Sequence, residues 1–210
     1  GDKVMQASFL SGADFHTATA AKVFHVPEDE VTPELRRRAK AVNFGIVYGI
    51  SAFSLAQDIG VSVAEAKAYM ERYFETYQGV RQYMTDVVEK AERDGYVQTL
   101  MHRRRALPEL KSSNFNLREF GKRVALNMPI QGTAADIIKI AMVNVHRRLA
   151  EDGFEAKLLL QVHDELIVEC PDCEAERVKD ILTHEMENAA ALSVPLTVDA
   201  HVGHSWAEAH

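Results

Sequence analysis

The sequence is short of several things, and each shortage excludes a class of protein. Only two of its 210 residues are cysteines, Cys170 and Cys173, too few for a disulfide-stapled secreted scaffold. They form a C-P-D-C string. A C-x-x-C pair is half of a zinc site or a redox pair in other contexts. Here there is no second pair, no His at ligand spacing nearby and no βαβ pattern around it. The thiols read as incidental and suit a reducing, cytoplasmic setting. No uninterrupted apolar run approaches the ~20 residues that cross a bilayer, so no membrane partner is expected. Internal repeats and low-complexity linkers are missing as well. The N-terminus, Gly1-Asp2-Lys3-Val4, lacks both an initiator Met and the basic-then-apolar pattern of a signal peptide, and reads as a chain entered partway. Positive charge is also in deficit: 24 Lys and Arg face 31 Asp and Glu, a formal charge of -7. That average by itself does not suggest a nucleic-acid partner, because such domains are usually basic where they touch phosphate.

The basic residues are bunched, however. Arg36-Arg37-Arg38 with Lys40, His102-Arg103-Arg104-Arg105, Lys122-Arg123 and Arg147-Arg148 form four clusters. Taken singly, each is a solvated helix face or turn as readily as a phosphate-binding surface. The chain is 47% hydrophobic and 26% charged, enough apolar residue for a real core in one large domain or two small ones.

The first half has helical punctuation. Asp14 is placed to cap a helix running to about Phe24, and Thr32-Pro33 opens one that stops at Gly49. Ser51 begins a short helix. Ser62-Val63-Ala64-Glu65 matches a capping box for a helix through Tyr77. Gly79 breaks the pattern before a further helix to Asp94-Gly95. Tyr96–Leu100 and Arg105–Leu107 then read as two short strands. A helix from Asn114 should end or kink at Pro129, and another runs from Gln131 to Ala150. Strands Lys157–Val162 and Leu166–Glu169, a helix from Cys173 to Ala191 and a last strand over 195–202 complete the pattern. The fold class is α+β, with a helical front and a mixed back meeting near residue 125.

Two segments carry chemistry. Leu158–Val162 and Leu166–Val168 are apolar enough to be buried strands, and His163-Asp164-Glu165 lies between them. Adjacent carboxylates at a hairpin tip repel, where turn chemistry favours Asn-Gly or Asp-Gly. A divalent cation relieves that repulsion, because hard oxygens suit Mg²⁺; a solvated acidic turn is the other reading. The helix after Thr32 carries Arg36, Lys40, Phe44 and Tyr48. Steps of four residues drift only ~40° around an α-helix, so these form one slanting stripe, cationic first and aromatic later. It suits a nucleoside triphosphate, with phosphates on Arg36 and Lys40 and the base near Phe44 and Tyr48. It equally suits an aromatic core face with exposed cations. Gly45 and Gly49 fall in its aromatic half, where a mid-helix glycine costs about 1 kcal/mol and calls for a reason such as close approach of a ligand.

Taken together, these strings resemble a known family. RRRAKAVNFGIVYG (Arg36–Gly49) resembles motif B of family A DNA polymerases, the fingers helix that grips the incoming nucleotide. QVHDEL (Gln161–Leu166) resembles motif C, the palm hairpin. NMPIQGTAADIIK (Asn127–Lys139) is similar to the segment between them, and DFHTATA (Asp14–Ala20) to the fingers segment before motif B. The closing WAEAH (206–210) is similar to the family's C-terminus.

The resemblance implies an enzyme of bacterial DNA replication and repair, cytoplasmic and nucleoid-associated. Residues 1–125 would be the fingers and 126–210 the second half of the palm, with its antiparallel β-hairpin and packed helices. Asp164 would bridge two Mg²⁺ ions with Glu165 in support. His16, Arg36 and Lys40 would hold the triphosphate of a dNTP, Phe44 would pack on its sugar and base, and Tyr48 would lie at the base-pair end. Arg123, Asn127, Gln131 and His163 would touch primer-template DNA, and the arginines at 103–105 would meet its backbone. The reaction is nucleotidyl transfer: the primer 3′-hydroxyl attacks the α-phosphorus in line and pyrophosphate leaves, with Lys40 stabilising or protonating that leaving group. Phe rather than Tyr at position 44 goes, in this family, with rejection of dideoxynucleotides. Motif A, with the second metal-bridging Asp, and the thumb would precede Gly1, so an upstream polymerase segment is an expected partner. A DNA-binding remnant of the same fold, a single-subunit RNA polymerase and a C-x-x-C redox protein are the competing readings.

Overall fold

The computed structural model describes residues 1–209; His210, the last residue of the closing string, lies outside the described residues. The chain divides into two compact units, 1–130 and 131–210. No helix among the described residues is long and apolar enough to cross a membrane.

The first unit is helical: α1 (Lys3–Leu10), α2 (Phe15–Phe24), α3 (Pro33–Val47), α4 (Ala52–Ile59), α5 (Val63–Thr76) and α6 (Gln78–Asp94). A small antiparallel hairpin follows, β1 (Tyr96–Gln98) and β2 (Arg104–Ala106). Its helix starts follow capping chemistry. Asp14 accepts from the Thr17 N–H at 2.7 Å, and Thr32 accepts from Leu35 with Pro33 at the first helical position. Ser62 and Glu65 exchange reciprocal bonds as a capping box, so amides that would face water unpaired are satisfied locally. The core between α2, α3, α4 and α5 is built from Val23, Val42, Ile46, Leu55, Tyr73 and Tyr77. The Tyr77 hydroxyl meets Thr19 Oγ1 at 3.1 Å, which satisfies a phenol that burial would otherwise strand.

Helix α1 carries no strong sequence pattern of its own. Asp2 caps it, accepting from Met5 N–H at 2.9 Å, and its second oxygen accepts from Gly79 N–H at 2.8 Å. The break before α6 falls at Tyr77, whose backbone (φ −112°, ψ 69°) is not helical. Gly79 lies inside the first turn, where an added Cβ would sit 3.0 Å from Asp2, so the glycine admits a tertiary contact. Of the two outcomes expected at Pro129, an end or a kink, the end does not occur: α7 (Phe115–Glu151) continues as helix with Pro129 inside it. Proline costs a helix interior about 3 kcal/mol. Burial of Ala125 and Leu126 before it, and of Ala141, Val145 and Leu149 after it, holds both halves helical.

The second unit contains the rest of α7, the antiparallel pair β3 (Lys157–Val162) and β4 (Glu165–Glu169), α8 (Ala175–Glu187) and the short α9 (Trp206–Ala209). Val145, Leu149, Leu166 and Val178 form its core. The register shifts between Leu158 and Leu160, leaving Leu159 as an extra residue on β3, a bulge that bends the strand. β3 is not the buried strand expected: Leu159 and Leu160 are about half exposed. The strand expected over 195–202 is absent. Among the described residues both sheets have two strands, so that segment has no ladder to join; Val198 N–H instead donates to the Glu187 carboxylate at 3.2 Å.

Candidate nucleotide site and acidic hairpin

Helix α3 separates its faces cleanly. Ala39, Val42, Asn43 and Ile46 are buried, while Arg36, Lys40, Phe44 and Tyr48 point away from that core. Phe44 is 46% and Tyr48 45% exposed, so the aromatic half of the stripe is not a core face. Two large aromatic rings left in water on a helix mark a binding surface more than a packing one.

The cationic half is arranged by carboxylates. Arg36 donates through Nε and Nη2 to the two oxygens of Asp14, at 2.9 and 2.7 Å. That guanidinium holds the Asp14 carboxyl well below the usual carboxylate range, with the Thr17 hydrogen bonds acting the same way. Arg37 and Arg38 both pair with Glu34, and so answer to their own helix. Lys40 is exposed, with its Nζ 5.9 Å from the centre of the Phe44 ring. His16 reaches the same surface from α2, its ring centre 5.8 Å from that of Phe44. Its Nδ1 lies 2.9 Å from the Asn43 amide nitrogen. Burial pushes the His16 pKa down; Asp14 opposes this, and Arg36 and Lys40 add to it.

Beyond Phe44 a cleft of about 520 Å³ opens, lined by Ala41, Phe44, Gly45, Tyr48, Gly49, Ile50, Ser51, Ser54, Asp58 and Arg123. The end of α3 shapes it. Ile50 N–H donates to the Gly45 carbonyl at 2.8 Å and Gly49 N–H to that of Ile46 at 3.0 Å, the paired bonds of a Schellman cap. Gly49 is left-handed (φ +68°) and packs on Leu126 and Arg123. A Cβ on Gly45 would lie 2.7 Å from Ile50 Cγ2. Both glycines thus have a reason in the fold of this cap, and both also line the cleft.

On α7, Arg123 and Gln131 are exposed, and Asn127 lies between them at four-residue spacing. The Asn127 Oδ1 is buried with no hydrogen-bond partner among the described residues, an acceptor that ordinarily finds one. In the β1–β2 hairpin, Arg103, Arg104 and Arg105 are exposed, and the Arg104 guanidinium sits 4.6 Å over Tyr96.

The β3–β4 turn consists of His163 and Asp164. His163 has φ +52°, a left-handed conformation uncommon outside glycine though tolerated by His. Gln161 Nε2 donates to its carbonyl at 2.5 Å, bracing the turn. Asp164 is exposed at the tip and Glu165 half-buried at the start of β4. Two adjacent carboxylates supply hard oxygens of the kind Mg²⁺ takes, and Mg²⁺ completes its octahedron with water and substrate phosphates. Among the described residues no three His, Cys, Asp or Glu side chains gather into a complete site. The donors present fit one side of such a site and no more. Cys170 and Cys173 are free thiols. Burial and the nearby Glu174 and Asp172 push the Cys170 thiol up, the reverse of an activated redox cysteine.

Residues 1–208 match the DNA polymerase family A profile. The chain belongs to that family. It is 54% identical over 208 residues to DNA polymerase I of Bacillus caldotenax and 54% to that of Bacillus subtilis, in each case 99% of this chain and 24% of the relative. The chain thus spans about a quarter of the length of these family A polymerases. A solved structure described as the POL domain of Pol1 from M. smegmatis in complex with DNA primer-template and dNTP superposes with a TM-score of 0.95. It shares 49% identity and covers 99% of this chain and 37% of that one. The α+β class, mostly helical with two small antiparallel hairpins, is that of this polymerase domain.

The residues expected to hold a triphosphate, His16, Arg36 and Lys40, thus share one surface of the first unit with Phe44, expected at the sugar and base, and Tyr48 and Arg123 line the adjoining cleft. Sequence reasoning missed two participants. Asp14 was legible only as a cap, because its pairing with Arg36 is tertiary. Asn43 had a signal that went unread: a polar residue on the apolar face between Val42 and Ile46.

Proposed function

We propose that this chain supplies the fingers (1–125) and the second half of the palm (126–210) of a DNA-directed DNA polymerase. The observation that carries this is the exposed stripe of α3 with His16 beside it, in a chain of family A. Arg36 and Lys40 bind the triphosphate, one by a planar fork and the other as a point charge. His16 donates to a phosphate oxygen. Phe44 packs on the sugar and base, and Tyr48 borders the base pair. The exposed cations neutralise charge as it moves toward the leaving pyrophosphate, and Lys40 is the donor able to give that group a proton. Arg123, Asn127, Gln131 and His163 position the primer-template, with the arginines at 103–105 on its backbone; the orphaned Asn127 oxygen suits a donor from a base edge or sugar.

Asp164 would hold Mg²⁺ with Glu165 in support, and a second Asp would come from an upstream segment that carries motif A and the thumb. Bound Mg²⁺ would sharpen the 3′-hydroxyl as nucleophile and offset phosphate charge. The half-exposed leucines of β3 fit an upstream segment that completes the sheet. The setting is bacterial, cytoplasmic and nucleoid-associated, serving replication and repair.

The test is Asp164→Ala in the polymerase that carries this chain. Primer extension is expected to drop by about 10³-fold or more, the scale of several kcal/mol of lost charge stabilisation, with primer-template affinity retained. An unchanged rate would remove Asp164 from the catalytic site, and DNA binding without primer extension in the unsubstituted protein would leave a DNA-binding remnant as the better reading.

A further inference from the structure

Asn43 is an odd residue for its place. It sits on the buried face of α3, 5% exposed, flanked by Val42 and Ile46 in the core. A hydrocarbon would pack there without the desolvation that a buried amide incurs. Its Oδ1 is buried and has no partner among the described residues. Its Nδ2 is 2.9 Å from Nδ1 of His16 on α2, 27 residues earlier. Among the described residues, the one bond this buried amide makes is to a residue of the proposed nucleotide surface.

An amide nitrogen can only donate, so the His16 Nδ1 facing it must accept, and the ring proton lies on Nε2. We infer that Asn43 is a positioning residue that fixes His16 as the neutral Nε2–H tautomer, ready to donate to a phosphate oxygen of the nucleotide. This rests on the reading of His16 as a triphosphate contact. The reverse amide orientation would bury two unpaired N–H groups and leave a bare lone pair on Nε2, turned toward an anion.

The surroundings favour a neutral ring. Burial opposes its charging, and so do Arg36 and Lys40 on α3, while Asp14 on its own helix pulls the other way. A neutral donor adds a directional hydrogen bond to a surface already carrying two cations, without a third charge to repel them. The tautomer is set by what the other ring nitrogen meets, and at His16 that is Asn43.

Long-range ¹H–¹⁵N NMR of the His16 ring in the wild-type chain tests the tautomer directly, with the signal assigned by its loss in His16→Gln. A proton on Nε2 is expected; a proton on Nδ1 overturns the inference. In Asn43→Asp, a same-sized acceptor, the proton should move to Nδ1 and the ring should titrate at higher pH. In the polymerase carrying this chain, Asn43→Asp and Asn43→Leu should raise the KM for dNTP roughly 2- to 10-fold, with kcat nearly unchanged. His16→Ala should do at least as much, and combining it with Asn43→Leu should add nothing. Full additivity of the two would overturn the positioning role. An unchanged KM in His16→Ala would instead remove the nucleotide reading of both residues, whatever the tautomer.

Discussion

Arg36 is held by Asp14 through two hydrogen bonds of 2.9 and 2.7 Å, while the same carboxylate caps α2 by accepting from Thr17. One side chain thus ties the start of α2 to the first cation of the α3 stripe. The pair is solvent-exposed, with side-chain exposures of 46% and 43%, so its contribution to stability is small, below about 1 kcal/mol. Its pH dependence is nevertheless distinctive. The folded carboxyl titrates below its unfolded value, so the stabilisation is present at neutral pH and lost as pH falls. Asn keeps capping ability, which makes Asp14→Asn the informative variant. Its stability deficit should be flat between about pH 8 and pH 5. The deficit should begin to close near the ordinary value of about 3.9, as seen in urea unfolding across pH. A deficit that persists unchanged in strong acid would show that the charge is irrelevant.

Gly45→Ala separates two principles that predict opposite signs. Helix propensity alone favours Ala by about 1 kcal/mol. Here the new Cβ meets Ile50 Cγ2 at 2.7 Å, and overpacking costs about 1–3 kcal/mol. A net loss is expected, read by chemical denaturation. The double variant Gly45→Ala/Ile50→Ala should be more stable than the sum of its parts predicts, because removing Cγ2 opens the space. Strict additivity would show that Ile50 is not the obstacle.

His163→Gly should uncouple stability from function. The left-handed backbone at φ +52° costs a β-carbon-bearing residue about 1–2 kcal/mol relative to a conformation glycine adopts freely. Glycine's greater freedom when unfolded offsets part of that. Unfolding stability should therefore hold or rise slightly, while primer-template affinity falls. Unaltered affinity would assign His163 to the turn alone.

Local chemistry was legible in the sequence wherever one residue decides it. Asp14, Thr32, Ser51 and Ser62 cap helices because each side chain needs only the next turn. The α3 stripe followed from periodicity, but which side of the helix faced water did not. Exposure of Phe44 and Tyr48 is fixed by what α2, α4 and α5 bury against Val42 and Ile46. Misreadings share one cause, a tertiary contact outweighing a local rule. Gly79 admits Asp2, α7 passes Pro129 without ending because both sides are buried, and the segment 195–202 has a strand's composition without a strand's partner. Asp14 with Arg36 and Asn43 with His16 span 22 and 27 residues, beyond the reach of any spacing rule.

Phe44 offers the sharpest test of the nucleotide site. Its ring is 46% exposed, flanked by His16 and Lys40, and borders the cleft that Tyr48 and Arg123 also line. A dideoxynucleotide lacks the 3′-hydroxyl and leaves one polar partner beside the sugar unsatisfied, a loss that a site built around a hydroxyl feels strongly. Phe44 has nothing polar to offer in its place. Phe44→Tyr adds a hydroxyl to a ring that is about half exposed, where it can stand in for the missing group. The preference for dNTP over ddNTP, measured as a ratio of kcat/KM, should fall roughly 10- to 100-fold, the worth of one well-placed hydrogen bond to a charged group. Incorporation of ordinary dNTPs should change little, since the ring keeps its place. A ratio that stays put would remove Phe44 from the sugar's side of the nucleotide, and with it the order of phosphates then base along α3.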